Sequence, residues 1–222
     1  MRRTAALTLV VLLTAASAGA ANRVVIEDWR AHPVGTRGIP PGWQSQNWGS
    51  PAYDFTVVDH GGQRTLHLRS RNDSSTISKE VKGVPLKETP VLEWRWKVIA
   101  LPEGGNSCKK ATDDQVAQVY VTWPRFPTAV RSRIIGYVWD TTAPVGTVCK
   151  SEKTGMVTYI VIRSGSKDLG TWLTESRDVR ADFTKIYGEE PEDPGAISIA
   201  IDTNDTRSKA EAYVGPILFR AP

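Results

Sequence analysis

The sequence predicts an all-β fold, a two-sheet antiparallel β-sandwich of the jelly-roll type. Short runs of alternating apolar and polar residues recur along the chain, separated by turns rich in Gly, Pro, Asn and Asp. Only one segment, residues 178–187, has its apolar residues at helical spacing. About ten short strands with almost no helix are typical of two packed sheets.

The first twenty residues predict a secretory signal peptide. A basic start, Arg2-Arg3, is followed by the apolar run Ala5–Ala16 and by the small-residue cleavage pattern Ala18–Ala20. This run is too short for a membrane helix, and no later run approaches the ~20 apolar residues that a span needs. We therefore expect an exported protein, periplasmic or secreted, in which residues 21–222 form one domain without a membrane span.

Charge and motifs narrow the classes of function. The chain of 222 residues carries a formal net charge of +4, which falls to +2 without Arg2-Arg3, because the signal segment contains no acid. The basic residues are scattered, so nucleic acid is not an expected partner. No nucleophile elbow, phosphate-binding loop or dinucleotide motif occurs. The sequence leans against an enzyme, although a glycosidase with two carboxylates needs no local motif and stays open.

The strands follow from alternation and from the turns between them. In Val91–Ile99, Leu92, Trp94, Trp96 and Val98 share one face, which predicts a strand with a buried side. The other strands are predicted at Val24–Asp28, Tyr53–Asp59, Thr65–Ser70, Thr76–Val81, Gln115–Trp123, Arg133–Trp139, Met156–Ser164, Leu169–Ser176, Ile197–Asp202 and Lys209–Phe219.

Turn and cap residues fix three connections. The sequence His60–Gln63, with two central glycines, predicts a hairpin between the second and third strands. Asp178 can cap the start of the helix and Gly188 its end. The last two strands flank the turn Asp202–Thr206, so we expect a hairpin there, with the final strand pairing near the opening strand Val24–Asp28.

The two cysteines, Cys108 and Cys149, predict a disulfide. In an oxidising compartment one bridge between them is the natural pairing, and it would close a loop of about 40 residues, worth roughly 4 kcal/mol. Two free thiols or half of a metal site are the alternatives. A metal site is disfavoured because the three histidines, His32, His60 and His67, all lie far upstream.

Several short blocks, in order along most of the chain, resemble a known family. They are Gly42-Trp43, Pro90–Trp96, Asp113–Val121, Tyr137–Trp139, Trp172, Arg177–Val179, Asp182-Phe183, Gly188-Glu189, Pro191, Asp202–Thr206 and Ala212-Tyr213. Together they are similar to the bacterial domain-of-unknown-function family 3047. The resemblance implies a sandwich of galactose-binding or lectin type and assigns no activity. Asp178 and the Asp/Asn order in Asp202–Thr206 depart from the family pattern, which favours turn chemistry over strict metal ligation.

Acidic residues at strand ends are the first candidates for a site. Asp113-Asp114 precedes a strand and could bind Ca²⁺ or act as acid and base, or accept backbone N–H bonds in a turn. Only one of the pair can face a given pocket. Asp202, Asn204 and Asp205 could hold a cation or close their own turn, and we favour the turn. If a metal binds, Asp202 and Asp205 are the expected ligands and Ca²⁺ the expected ion; the sequence requires no cofactor.

Aromatic and basic residues complete the candidates. Trp94 and Trp96 are expected in the core. Four further tryptophans lie in or beside loops and could stack on sugars or plug the end of the sandwich: Trp43, Trp48, Trp139 and Trp172. Arg177 could pair with the acids.

These residues favour a non-catalytic protein that binds a glycan or related envelope polymer. The alternatives are a carbohydrate-active hydrolase or lyase using Asp114 and Asp202, and a structural or assembly protein of the envelope. The oligomeric state is not predicted.

Overall fold

The computed structural model describes residues 22–222. The predicted signal peptide lies outside the described residues. Strands in two sheets make up most of the regular structure, with the short helices α1 (Thr128–Arg131) and α2 (Val179–Tyr187). The all-β sandwich predicted from alternation is confirmed.

Six strands form the first sheet: β1 (Arg23–Glu27), β3 (Asp54–His60), β4 (Gln63–Arg71), β6 (Val91–Ala100), β11 (Leu173–Asp178) and β13 (Lys209–Arg220). Across the sheet the order is β11-β6-β13-β4-β3, and β1 pairs with the end of β13 through Arg23 opposite Arg220. Every pair in this sheet is antiparallel. The expected contact between the first and last strands is therefore present.

Seven strands form the second sheet: β2 (Gln44–Ser45), β5 (Ser74–Glu80), β7 (Ala117–Trp123), β8 (Arg133–Asp140), β9 (Val148–Lys150), β10 (Val157–Ser164) and β12 (Ala196–Asp202). The order is β2-β5-β12-β7-β8-β10-β9. The pair β8–β10 is parallel, whereas the sequence predicted antiparallel pairing throughout. A parallel pair needs a long crossover, and residues 141–156, which include β9, provide it.

The core lies between the sheets and is built around tryptophan. Trp94 and Trp96 of β6 are 1 % and 0 % exposed, as their alternation predicts. Trp94 stacks on Tyr137 of β8 with ring centroids 5.3 Å apart, and Trp96 lies 5.9 Å from Trp139. These ring pairs pack the two sheets against each other, and their burial stabilises the core.

Local turn chemistry explains the predicted hairpin and helix. The β3–β4 hairpin turns at Gly61-Gly62, where φ is 68° and 83°, values that glycine adopts without strain. Helix α2 begins after Asp178, whose carboxylate accepts the Ala181 N–H at 2.8 Å, and ends at Gly188. Both predictions are confirmed.

The expected hairpin at the end of the chain is wrong. β12 pairs with β5 and β7 in the second sheet, whereas β13 pairs with β4 and β6 in the first. The segment 203–208 therefore crosses from one sheet to the other. A crossover and a hairpin need the same turn residues, so the turn alone did not distinguish them.

The disulfide joins Cys108 and Cys149 with their Cα atoms 5.7 Å apart, as predicted. It ties the connection before β7 to the crossover strand β9. Within residues 22–222, no helix is long and apolar enough to span a bilayer.

Candidate functional site

A cleft of about 660 Å³ opens on the outer face of the seven-stranded sheet. Side chains of β5, β7, β8, β10 and β12 form its floor. Its walls come from the segments 46–51, 72–74 and 151–156 and from the crossover after β12. Because this face points away from the core, the sheet can carry polar and aromatic groups here without loss of packing.

Two tyrosines and a glycine shape the floor. Tyr120 of β7 and Tyr159 of β10 flank Gly136 of β8, each as its cross-strand partner. The tyrosine rings lie 6.4 Å apart. A Cβ at Gly136 would come within 2.7 Å of the Tyr120 ring and 3.0 Å of the Tyr159 ring. Gly136 therefore lets both rings lean over the sheet.

Asp113 lies at one end of the cleft and is 3 % exposed. Its Oδ1 accepts a 2.7 Å hydrogen bond from the Gln115 amide, and its Oδ2 lies 3.5 Å from the hydroxyls of Ser151 and Tyr159. Burial raises the pKa of Asp113 to about 6, although the Gln115 bond and the Lys153 charge oppose the shift. This carboxyl therefore titrates at about pH 6 and is mostly ionised at neutral pH.

Asp202 ends β12 and also lines the cleft. It accepts the Ser74 hydroxyl at 3.0 Å and the Asn204 N–H at 3.3 Å. Burial, followed by the negative charge of Asp114, raises the pKa of Asp202 to about 7. The Asn204 contact is the side-chain-to-backbone bond that the turn interpretation expects.

Lys153 supplies a cation beside these acids. Its ammonium pairs with Asp205. Burial acts to lower the pKa of Lys153, but the Asp205 hydrogen bond and the charges of Asp202, Asp205 and Asp113 together raise it. Among residues 22–222, no three His, Cys, Asp or Glu side chains converge to hold a metal ion. Lys153 therefore lies beside Asp205, one of the two residues that the sequence offered as ligands if a metal binds.

Asp114 has a structural position. It is fully buried, and its carboxylate accepts the N–H of Asp205 at 3.1 Å and both the N–H and the hydroxyl of Thr206 at 2.6 Å. These bonds hold the crossover between the sheets against the start of β7. Of the adjacent acids, Asp113 therefore faces the cleft and Asp114 faces the turn, so the proposed acid–base role of Asp114 is not supported.

The other predicted residues do not gather at the cleft. Trp139 is 1 % exposed in the core, where its indole N–H donates to the Gly165 carbonyl at 3.1 Å, so the structure does not support it as a ligand contact. Arg177 pairs with Asp182 at 3.0 Å and lines a separate cleft. Trp172 lies at the other sheet, near Arg95. Three of the predicted residues do line the cleft together: Asp113, Asp202 and Asn204.

Sequence reasoning missed several groups of the cleft. Tyr159 occurs in a strand that alternates weakly, so its outward direction was not visible. Tyr120 alternates with the core residues Val119 and Val121, and this signal could have placed it on the outer face. Lys153 lies in a loop without a motif. Trp48 was noted only as one of four loop tryptophans, but it is 58 % exposed and lines the cleft rim, whereas Trp43 is buried against Trp29 with ring centroids 5.6 Å apart.

The family model described as "Protein of unknown function (DUF3047)" matches residues 41–218. The chain belongs to this family. The match covers every strand of the cleft floor, and it confirms the resemblance seen in the sequence blocks.

Solved structures similar to the chain include carbohydrate-binding modules. The family 11 module of the cellulase Lic26A-Cel5E of Clostridium thermocellum is 8 % identical, with 91 % of this chain and 96 % of that chain covered and a TM-score of 0.46. The family 11 module from the same organism in complex with a β-1,3-1,4-mixed-linked tetrasaccharide is 10 % identical, with 90 % and 96 % covered and a TM-score of 0.45. The xyloglucanase domain of NopAA from Sinorhizobium fredii is 10 % identical, with 81 % and 92 % covered and a TM-score of 0.40. No curated protein matches the sequence.

Replacing Asp114 with Asn should lower stability. The amide keeps the size of the carboxylate but loses charge and one acceptor, so N–H and O–H donors of the turn are left without partners. We expect a loss of about 2–4 kcal/mol in the free energy of unfolding, measured by urea denaturation. Asp113→Asn is the matched control and should lower the free energy of unfolding by less. An unchanged denaturation midpoint for Asp114→Asn would contradict the structural role.

Replacing Asp202 with Asn should stabilise the protein at alkaline pH. An unfolded aspartate releases its proton near pH 4, whereas folded Asp202 keeps it to about pH 7. The folded chain therefore binds more protons between these values, and the free energy of unfolding falls as pH rises through them. We expect Asp202→Asn to gain on the order of 1 kcal/mol at about pH 8 and little at about pH 4, by thermal melting.

The control for this pH effect is Asp205→Asn, which removes the partner of Lys153. This variant should show no increase in the free energy of unfolding at alkaline pH. Equal stability of wild type and Asp202→Asn at both pH values would show that the Asp202 carboxyl is not destabilised by its surroundings.

Proposed function

We propose that this protein binds a glycan or related envelope polymer in the cleft, without catalysis. The observation that carries the proposal is the composition of the cleft: flat aromatic rings on its floor and rim, with carboxyl, ammonium, amide and hydroxyl groups around them. A pocket of this volume with a few convergent polar groups is typical of a small-ligand site.

Sugars present apolar ring faces and polar edges, and the cleft offers partners for both. Tyr120 and the exposed indole of Trp48 provide surfaces for the ring faces, and Tyr159, which is largely buried, lines the floor beside Tyr120. Asp113 and Lys153 lie nearby to accept from and donate to hydroxyl groups. Hydrogen bonds to charged groups are about twice as strong as neutral ones, so these residues would fix the orientation of the sugar.

The compartment is part of the proposal. The formed disulfide supports a protein that acts outside the reducing cytoplasm, where envelope polymers are accessible. The signal-like start of the sequence supports the same location.

A carbohydrate-active hydrolase or lyase is the second candidate. It is favoured by the raised pKa values of Asp113, about 6, and Asp202, about 7. Such values are typical of groups that exchange protons near neutral pH. In this reading Asp113, and not the buried Asp114, would act together with Asp202.

Trp48→Ala should weaken glycan binding by about tenfold, because the variant loses the exposed ring at the rim. Affinity gel electrophoresis with β-glucans, mannans and xyloglucans, followed by calorimetry on those retained, would measure the change. Phe126→Ala is the matched control, since Phe126 is an aromatic residue 86 % exposed that does not line the cleft. Absence of retention on every polysaccharide would count against the proposal, and so would equal losses for both variants.

The hydrolase or lyase candidate predicts turnover. Incubating the protein with the retained polysaccharides would release new reducing ends or unsaturated products, and Asp113→Asn would lower that rate by about a hundredfold or more without unfolding the protein. A wild-type protein that binds but releases no product would exclude this candidate and leave the binding function.

A further inference from the structure

The outer face of the six-stranded sheet carries a second group of aromatic and basic side chains, on the opposite side of the core from the cleft. We call it the basic aromatic face, and it consists of His60, His67, Arg95, Lys97, Trp172 and Tyr213. All six are partly exposed. The proposed function uses none of them.

Strand register sets these side chains in a row across the sheet. Lys97 of β6 lies opposite Tyr213 of β13, Tyr213 opposite His67 of β4, and His67 opposite Thr56 of β3. Cross-strand partners on one face of a sheet point the same way. With strands about 4.8 Å apart, the row spans about 14 Å over four strands. That length suits a linear ligand better than a single small molecule.

The rings of the face contact one another. Tyr213 stacks on His67 with centroids 4.3 Å apart and planes 9° from parallel. His60 reaches over from the β3–β4 turn to within 5.2 Å of Tyr213 and 5.5 Å of Trp172. The four rings therefore form one continuous aromatic surface.

Among the described residues, 22–222, two cations on this face have no acidic partner. The Arg95 guanidinium lies 4.9 Å from the centre of the Trp172 ring and donates to Gln63 at 2.7 Å. The Lys97 ammonium lies 3.3 Å from the His60 Nε2 and 6.0 Å from the centre of the Tyr213 ring. Within residues 22–222, neither forms a salt bridge.

The acids beside the row contact other residues. Asp54 accepts from Arg69 at 2.9 Å, and Glu211 contacts His67 at 2.8 Å. Among residues 22–222, Arg95 and Lys97 thus place two positive charges without an ion-pair partner next to aromatic rings. Two unpaired cations this close together repel each other and attract an anionic ligand.

We propose that the basic aromatic face binds an acidic polysaccharide whose sugar rings carry carboxylates. The aromatic surface contacts the apolar faces of successive sugars. Arg95 and Lys97 bind the carboxylates, and an arginine can do so through two parallel hydrogen bonds. The site is separate from the cleft and does not rest on its proposed function.

The sheet geometry disfavours an extended peptide as the ligand. Peptides usually join a sheet by pairing with an edge strand. Here β6, β13 and β4 are interior strands whose backbone groups are used on both sides. A ligand on this face must therefore be recognised through side chains alone, as stacked sugars are.

The test is calorimetry of the purified protein with polygalacturonate, neutral mixed-linkage β-glucan and poly-L-glutamate at low and moderate salt. We expect polygalacturonate to bind, more weakly as salt rises, and poly-L-glutamate to bind at least about tenfold more weakly. Any binding of the neutral glucan, which the cleft would provide, should depend little on salt and should be the same in the variant below. The variant Arg95→Gln/Lys97→Gln should lose about tenfold or more in affinity for polygalacturonate. If the double variant does not fold, Lys97→Gln alone should lower the affinity for polygalacturonate several-fold.

The matched control is Lys109→Gln/Lys110→Gln, which removes the same charge from exposed positions before β7. It should bind polygalacturonate as wild type does, and so should the cleft variant Trp48→Ala. The proposal is overturned if polygalacturonate does not bind, or if the control loses as much affinity as the face variant. It is also overturned if a folded face variant binds normally, or if poly-L-glutamate binds equally well, which would instead indicate an acidic protein partner.

Discussion

The buried carboxylate of Asp114 fixes the segment 203–208. Through this segment the chain passes from β12 in the second sheet to β13, its last strand, in the first. The carboxylate accepts three hydrogen bonds from Asp205 and Thr206, so the crossover is fixed to the start of β7. Asp202 lies at the beginning of that crossover, and Asp205 presents its carboxylate to Lys153. The polar end of the cleft therefore depends on a residue that does not line it, and the charge of Asp114 in turn raises the pKa of Asp202.

Much of the fold followed from the sequence because its signals are local. Alternation located the strands, and Asp178 and Gly188 delimited the helix. Strand partners are non-local, which explains the error at the end of the chain: the turn after Asp202 satisfies its backbone equally well in a hairpin or in a crossover. The parallel pairing of β8 and β10 was hidden for the same reason, since no residue in either strand encodes its direction.

Less of the candidate site than of the fold could be predicted from the sequence. Acidic residues at strand ends were visible, and the prediction that only one of Asp113 and Asp114 faces a pocket agrees with the structure. Which tryptophans are exposed was not visible, because Trp139 ends a strand in the core while Trp48 stands in an irregular loop. Loop composition does not say which side of a sheet a loop covers, and that placement decides whether an indole meets solvent or the core.

Gly136 has a consequence for redesigning the cleft. The arrangement of the floor depends on a strand position that has no side chain, since even a methyl group there would collide with both tyrosine rings. A larger residue at this point would push the two rings away from the strand. The shape of the cleft can therefore be changed more readily through neighbours such as Thr122 and Ile134, which line the same space, than at Gly136.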